Sequence, residues 1–392
     1  MKKRHCYLLV LLFIGCGNIS AQDTLATKRF KIALFTPLYL DSAFGSDLVY
    51  RSGTVFPKYI NSGLEFYEGA QLAIDSLSKE GLPLDIHIYD SKSDKEKIPE
   101  VLSSEEFQHT DLVIGHVNGA ETKLLANAAA KNNIPFINAT YPNDAGVSNN
   151  PDFVLLNSTL YTHCNAMYKF IQKNYPLSPV LLFRKKGMQE DKLKTYFDDI
   201  SKNTAAVALK ITYVTLPDSF DVEDVQKQLG EASTTVCIAG SLDIAFGQQL
   251  THLLATINKD NPTVVFGMPT WWDATNFAKS DYKGIEVFYS TSFYLPPTHK
   301  LVTGIHHEFK TKFFSRPTDM VFRGYETVYH FAHLLVLNEG NLVSGLSDKR
   351  YRVFTDFDIQ PVLNPKTNTL DYFENKKIYF VKKLDGNVVA VY

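Results

Sequence analysis

Glu65-Phe-Tyr-Glu-Gly-Ala70, Ala73-Ile-Asp-Ser-Leu77 and Leu84-Asp-Ile-His-Ile-Tyr-Asp90 set an amphipathic helical pattern over 64–79 directly before a short apolar run at 84–89. A long helical repeat followed by a short apolar strand is the unit from which helix-covered sheets are built. The alternation extends in both directions. Upstream, 31–35 reads as a strand; downstream, strands at 111–114 and 134–138 alternate with helices at 98–108 and 121–132. Most of these strands are apolar along their whole length, as in a parallel sheet buried on both faces.

The rhythm restarts at Phe153, with strands expected at 180–183, 207–214, 235–239 and 264–267 and helices at 161–173, 190–202, 222–231 and 246–257. Two βαβ blocks of similar size imply two similarly built lobes. A further strand at 286–289 and helices at 301–314 and 321–337 follow. The tail then pairs 378–382 with 388–391 around Leu384-Asp385-Gly386-Asn387, an antiparallel hairpin signal. The stretch 39–63, with Gly45, Gly53 and Gly63, reads as a long loop over a cleft mouth. No low-complexity linker separates the blocks, so the chain is expected to pass between lobes more than once.

With 392 residues, 45% of them hydrophobic, the chain can bury two or three cores. A net charge of -2 and the lack of any Lys/Arg stripe exclude nucleic acid as a partner. Met1-Lys-Lys-Arg4 followed by Tyr7-Leu-Leu-Val-Leu-Leu-Phe-Ile14 reads as a signal peptide over 1–21, cleaved after Ala21. Phe13-Ile-Gly-Cys16 offers the alternative of a lipoprotein anchored at Cys16. No later run approaches the roughly 18 apolar residues of a membrane span. The expected location is therefore the periplasm, free or tethered at the N-terminus. Cys164 and Cys237 are either buried thiols or a disulfide pair, since such a compartment permits both.

Leu112-Val-Ile-Gly-His116, Ala126-Asn-Ala-Ala-Ala130 and Ile134-Pro-Phe-Ile-Asn-Ala-Thr140 follow the opening motifs in order. With the Gly69-Ala70 pair and the acidic Asp90 after the second strand, the series resembles the type 1 periplasmic-binding fold. That is the family of leucine/isoleucine/valine-binding proteins and receptor ligand-binding regions, and the resemblance covers nearly all of the mature chain. The helix around 65–70 is especially similar to Bacteroidota binding domains that often accompany LysM modules, although no LysM repeat is present. The resemblance implies an α/β, two-lobed architecture in which each lobe is a parallel sheet flanked by helices and several crossovers join them. It implies lobe 1 from 28–155 with 287–340 and lobe 2 from 156–286 with 341–392. It further implies an extracytoplasmic solute-binding protein of an ABC-type, branched-chain-amino-acid-like importer. Such a protein closes on a small-molecule ligand, needs no cofactor and meets an inner-membrane ABC permease. The alternative on the same fold is an envelope sensor, or an interaction protein for a cell-wall synthesis enzyme.

In such sheets the loops leaving the carboxyl ends of strands converge on a crevice, with helix N-termini pointing into it. Asn118, Gly119 and Ala120 lead into one such helix, and Ala139, Thr140 and Tyr141 stand beside it. In amino-acid-binding relatives a Ser and a Thr hold the ligand carboxylate. Thr140 matches that Thr or serves as a turn cap, but Gly119 and Ala120 fill the Ser positions. The relatives' acid for the ligand amine falls near Thr270, so the amino-acid clamp is not intact. Trp271 and Trp272 follow, as a flat ligand wall or as core packing. Tyr39, Asn157, Arg184 and Asp243 occupy other strand ends, where Arg184 suits an anion and Asp243 a cation, or each serves in a surface salt bridge or a loop cap.

Catalytic signatures are lacking. His307-Glu308-Phe309-Lys310-Thr311 has Thr where a zinc-binding motif needs its second His. No Gly-x-Ser-x-Gly elbow, Walker loop or Gly-x-Gly-x-x-Gly turn occurs. The expectation is a binding protein, not an enzyme.

Overall fold

The structure is a computed structural model that describes residues 28–391 except 54, 233 and 274–281. The first half-lobe runs β1 (Phe30–Thr36), α1 (Leu40–Ala43), α2 (Lys58–Lys79), β2 (Leu84–Asp90), α3 (Ile98–Ser103), α4 (Glu105–Gln108), β3 (Leu112–Gly115), α5 (Gly119–Lys131), β4 (Phe136–Asn138) and β5 (Phe153–Leu155). The chain then crosses to α6 (Leu160–Asn174), β6 (Val180–Arg184), α7 (Met188–Asn203), β7 (Ile211–Thr215), α8 (Val222–Gln226), β8 (Thr235–Ala239), α9 (Ile244–Ile257), β9 (Thr263–Gly267) and β10 (Glu286–Thr291). It returns through α10 (Lys300–Lys312), α11 (Asp319–Leu337), β11 (Ile359–Leu363) and β12 (Leu370–Asn375). It crosses a third time into β13 (Tyr379–Leu384) and β14 (Asn387–Val391).

Two seven-stranded sheets result, ordered β11-β12-β5-β4-β3-β1-β2 and β14-β13-β10-β9-β8-β6-β7. Pairing is parallel except at β11/β12, β10/β13 and β13/β14. Strand periodicity sorts the side chains cleanly. In β1, Ile32 and Leu34 enter the core beneath α2 and α11, whereas Ala33 and Phe35 enter the core beneath α3 and α5. In β8, Val236 and Ile238 face one core of the second lobe and Cys237 and Ala239 the other. Both faces of each sheet are covered, which is why these strands read as unbroken apolar runs.

Cys164 packs with Val236 on one face of the second sheet and Cys237 lies on the other, and both are free thiols. Asp385 and Gly386 both have positive φ, 48° and 80°, the backbone of the tight hairpin turn between β13 and β14.

The topology corrects the lobe boundaries expected from the sequence. β10 hydrogen-bonds to β9 and completes the second sheet, so 287–291 belong to lobe 2 and not lobe 1. β11 and β12 pair onto β5, so 359–375 belong to lobe 1 and not to a lobe-2 tail. The expected helix over 98–108 is broken at Ser104, whose extended backbone caps α4 with its side chain on Phe107 N. The expected loop over 39–63 contains α1 and the first six residues of α2.

The Gly69 position shows why the opening motif has the composition it does. An added Cβ there would sit 1.8 Å from Val321 O, and one on Gly324 would sit 2.1 Å from Phe66 O. The backbones of α2 and α11 therefore touch, and only glycine fits at the crossing. Gly69→Ala is expected to lower the unfolding free energy by about 2 kcal/mol, typical of overpacking in a rigid contact. Urea denaturation would show it as a lower midpoint with an unchanged slope. An unshifted midpoint would mean that the helices part freely.

Candidate functional site

Three segments cross between the lobes, and hydrogen bonds tie them to one another. Asn157 Nδ2 donates to Thr140 O at 2.6 Å, and Ser292 Oγ donates to Asn157 Oδ1 at 2.7 Å. Ser158 Oγ donates to Asn375 O at 2.5 Å, and Asn375 Nδ2 donates to Leu156 O at 3.1 Å. Asn157 thus joins the first crossing to the second, and Asn375 joins the first to the third. Beside this junction opens a cleft of about 710 Å³, a size suited to a small ligand. Lobe 1 lines it with residues 140–144 and with Met320, Arg323, Tyr372 and Glu374. Lobe 2 lines it with residues 159–161, His163, Lys192, Tyr196, Leu242 and Thr270, and residues 290–292 lie where β10 leaves its sheet.

The N-terminus of α6 faces this cleft but is already occupied. Glu374 Oε1 accepts from Thr159 N at 2.8 Å, Thr159 Oγ1 at 2.9 Å and Thr162 Oγ1 at 2.7 Å. Its other oxygen pairs with Lys376 Nζ. A carboxylate from lobe 1 therefore satisfies the positive end of a lobe-2 helix. Across the cleft, Thr140 Oγ1 lies 2.6 Å from His116 Nδ1, and His116 Nε2 lies 3.0 Å from Ser62 Oγ. Burial first, and the charge of Arg323 second, push His116 down to about 4, so the ring is neutral near pH 7. When Ser62 donates to Nε2, Nδ1 donates to Thr140, and the Thr140 hydroxyl proton is left for an acceptor in the cleft. His163 bonds Ser290 Oγ at 2.9 Å and is pushed down to about 3 by burial.

No protein-family model and no curated protein matches the sequence. Solved structures do match. A Rhodospirillum rubrum protein assigned to branched-chain amino acid ABC transport shares 12% identity over 93% of this chain and 100% of its own, with a TM-score of 0.66. A branched-chain amino acid ABC transporter periplasmic ligand-binding protein from Burkholderia xenovorans shares 14% over 93% and 95%, with a TM-score of 0.59. LivJ of Streptococcus pneumoniae, solved with isoleucine, shares 14% over 93% and 99%, with a TM-score of 0.52. The chain has the type 1 periplasmic-binding fold.

Within this periplasmic-binding fold, the structure brings Thr140, Tyr141, Asn157 and Thr270 to one cleft. Asn118, Gly119 and Ala120 do not line it. Asn118 Oδ1 accepts from Glu121 N and Glu121 Oε2 accepts from Asn118 N, both at 3.0 Å, so α5 caps itself. Tyr141 lies over Gly119, where an added Cβ would sit 2.5 Å from the phenol oxygen. Ala139 is buried and borders a small cavity behind the cleft.

Tyr39 stays outside the cleft, with its ring against Tyr59 at 4.8 Å and its backbone N–H bonded to Asp90. Arg184 is paired with Asp191, and Asp243 caps α9 through Ala245 N while pairing with Lys185. Each takes a salt-bridge reading, Arg184 from a buried side chain and Asp243 while also serving as a cap. Trp271 corrects the ligand-wall reading, because its side chain is fully buried in the core of lobe 2. The side chain of Trp272 lies outside the described residues.

Sequence reasoning missed Arg323, Glu374, His163 and Lys192. Arg323 carried a usable signal, a lone cation between Val321-Phe322 and Gly324-Tyr325 on a helix that is otherwise apolar there. Glu374 carried none, because the threonines that bring it to the α6 N-terminus lie 212 and 215 residues away in sequence.

Proposed function

We propose that the protein is an extracytoplasmic solute-binding protein that delivers a small ligand to an ABC-type importer. The cleft between two lobes hinged on three tied crossings carries this reading. The names of the similar solved structures support it, since they are ABC-transporter proteins. Among the described residues no helix is long and apolar enough to cross a membrane. Residues 1–21 supply the export signal in this reading, and the protein binds without catalysing a reaction.

Ligand enters between the lobes, the crossings flex, and the closed form presents a surface to the permease. Thr140 and Tyr141 meet the ligand from lobe 1; Thr159, Tyr161 and Thr270 meet it from lobe 2. With a hydroxyl at Thr270 where amino-acid binders place a carboxylate, a free ammonium group is not the feature that is read.

Closure requires that ligand bind the closed form better than the open one. A saturating ligand is expected to compact the protein in small-angle scattering and to stabilise it by about 2.7 kcal/mol at one hundred times its dissociation constant. A ligand that raises the melting temperature but leaves the scattering profile unchanged would defeat the hinge mechanism.

A further inference from the structure

We propose that the cleft seats an anionic group of its ligand, a carboxylate or a phosphate ester, on the guanidinium of Arg323. This rests on the solute-binding reading and deepens it. Arg323 projects from α11 to the wall shared by the cleft and the small cavity behind it. Its Nε is shut off from solvent with no hydrogen-bond partner, and the guanidinium stands 4.8 Å from the Phe293 ring centroid. Asp319 and Glu326, one turn before and one turn after it, act on it through their fields, and among the described residues no carboxylate forms an ion pair with it. A guanidinium is a five-donor fork, and a shielded Nε without an acceptor costs stability unless something else supplies one.

The surrounding charges select the sign of the ligand. Cations at the cleft are Lys192, Arg323 and Lys376; anions are Asp144 and Glu374. Glu374 is consumed by Thr159, Thr162 and Lys376, while Asp144 accepts from Gly146 N and the Tyr372 hydroxyl. The α6 N-terminus, where an anion would otherwise settle, is filled by Glu374. Arg323 is the half-buried cation that makes no ion pair with the carboxylates near it, and it shares the cleft with the hydroxyls of Thr140 and Ser292. Bidentate pairing with a carboxylate or phosphate is the geometry a guanidinium favours. Tyr141, Tyr161, Tyr196 and Tyr372 border the same space and suit a flat body attached to that group.

The test uses benzoate and phenyl phosphate against benzamide and benzyl alcohol, by calorimetric titration of the whole mature chain. One or both anions are expected to bind the wild type more tightly than the neutral pair, and which of them binds separates the two anion sources. Arg323→Gln is expected to weaken that binding by about tenfold or more, with Arg323→Lys in between. Neutral probes binding as tightly as the anions, with Arg323→Gln unchanged, would overturn the anion seat and leave the solute-binding reading standing. No binding by any of the four at millimolar concentration also overturns it, whereas compaction by some other solute would still uphold the wider reading. A ligand-free arm is independent of the probes. Arg323→Met at pH 6 is expected to raise the melting midpoint by a few degrees, because a partly desolvated charge with no ion-pair partner is removed. A lowered midpoint would assign Arg323 to the fold instead and overturn the proposal.

Discussion

Replacement of Trp271 by alanine lowers the unfolding free energy by about 3–5 kcal/mol, the range for removing a large buried aromatic. The side chain is 0% exposed and packs with Leu250, Val265 and Val287. It fills a slot made by two glycines, since an added Cβ would approach it to 2.0 Å at Gly247 and again at Gly267. A slot walled by backbone collapses poorly, so the cavity persists and the cost lies toward the upper end. Denaturant unfolding of Trp271→Ala beside Trp271→Phe is the measurement, with the phenylalanine variant losing less than half as much. A loss under about 1 kcal/mol for alanine would show that the slot closes. The turn that carries Trp271 also holds Pro269 and Thr270 on the cleft wall, so the same residue anchors part of the binding surface from behind.

Glu326 gives the second large effect, and it depends on pH. The carboxyl is 1% exposed and accepts from Phe354 N at 2.7 Å, from Thr355 Oγ1 at 2.8 Å and from Thr355 N. Burial raises it from 4.5 to about 7, against the opposing pull of those hydrogen bonds and of Arg323. The folded state therefore holds this proton more tightly than the unfolded chain does. Its contribution to stability is complete below pH 4.5 and is lost as pH rises through about 7. A shift of that size corresponds to about 3 kcal/mol. Glu326→Gln keeps the shape without the proton, so its stability relative to wild type is expected to rise by about 3 kcal/mol between pH 4.5 and 8. Urea titrations of both proteins across that range would decide the matter. Parallel stability curves would place the Glu326 titration where it lies in the unfolded chain.

Periodicity exposed the strands because both faces of each sheet are covered. Ile32 and Leu34 against Ala33 and Phe35 report two cores from one four-residue run. The hidden parts depend on contacts distant in sequence. β12 joins lobe 1 through Phe373 opposite Val154 and Glu374 opposite Leu155, pairs that no local pattern announces. β11 carries Pro361 and is largely exposed at a sheet edge, so it lacks the apolar signature of the interior strands. β10 is apolar whichever sheet receives it, and only its register against β9 assigns it to lobe 2.

The site divides in the same way. Thr140 and Tyr141 were legible because a strand end delivers them, whereas the Asn118 turn looked open because its capping box was not weighed as an internal partner for the helix. The Trp271-Trp272 pair showed bulk without direction. Glycines at 247 and 267 decide the direction of Trp271, and they lie on two different elements of lobe 2.

The third crossing has a consequence for how the molecule comes into being. β11 joins the first sheet only through β12, and β14 joins the second only through β13. A nascent chain ending after α11 would lack the outer strands of both halves at once. Both sheets are therefore completed by residues beyond α11, and no single backbone cut separates the polypeptide into two self-sufficient pieces.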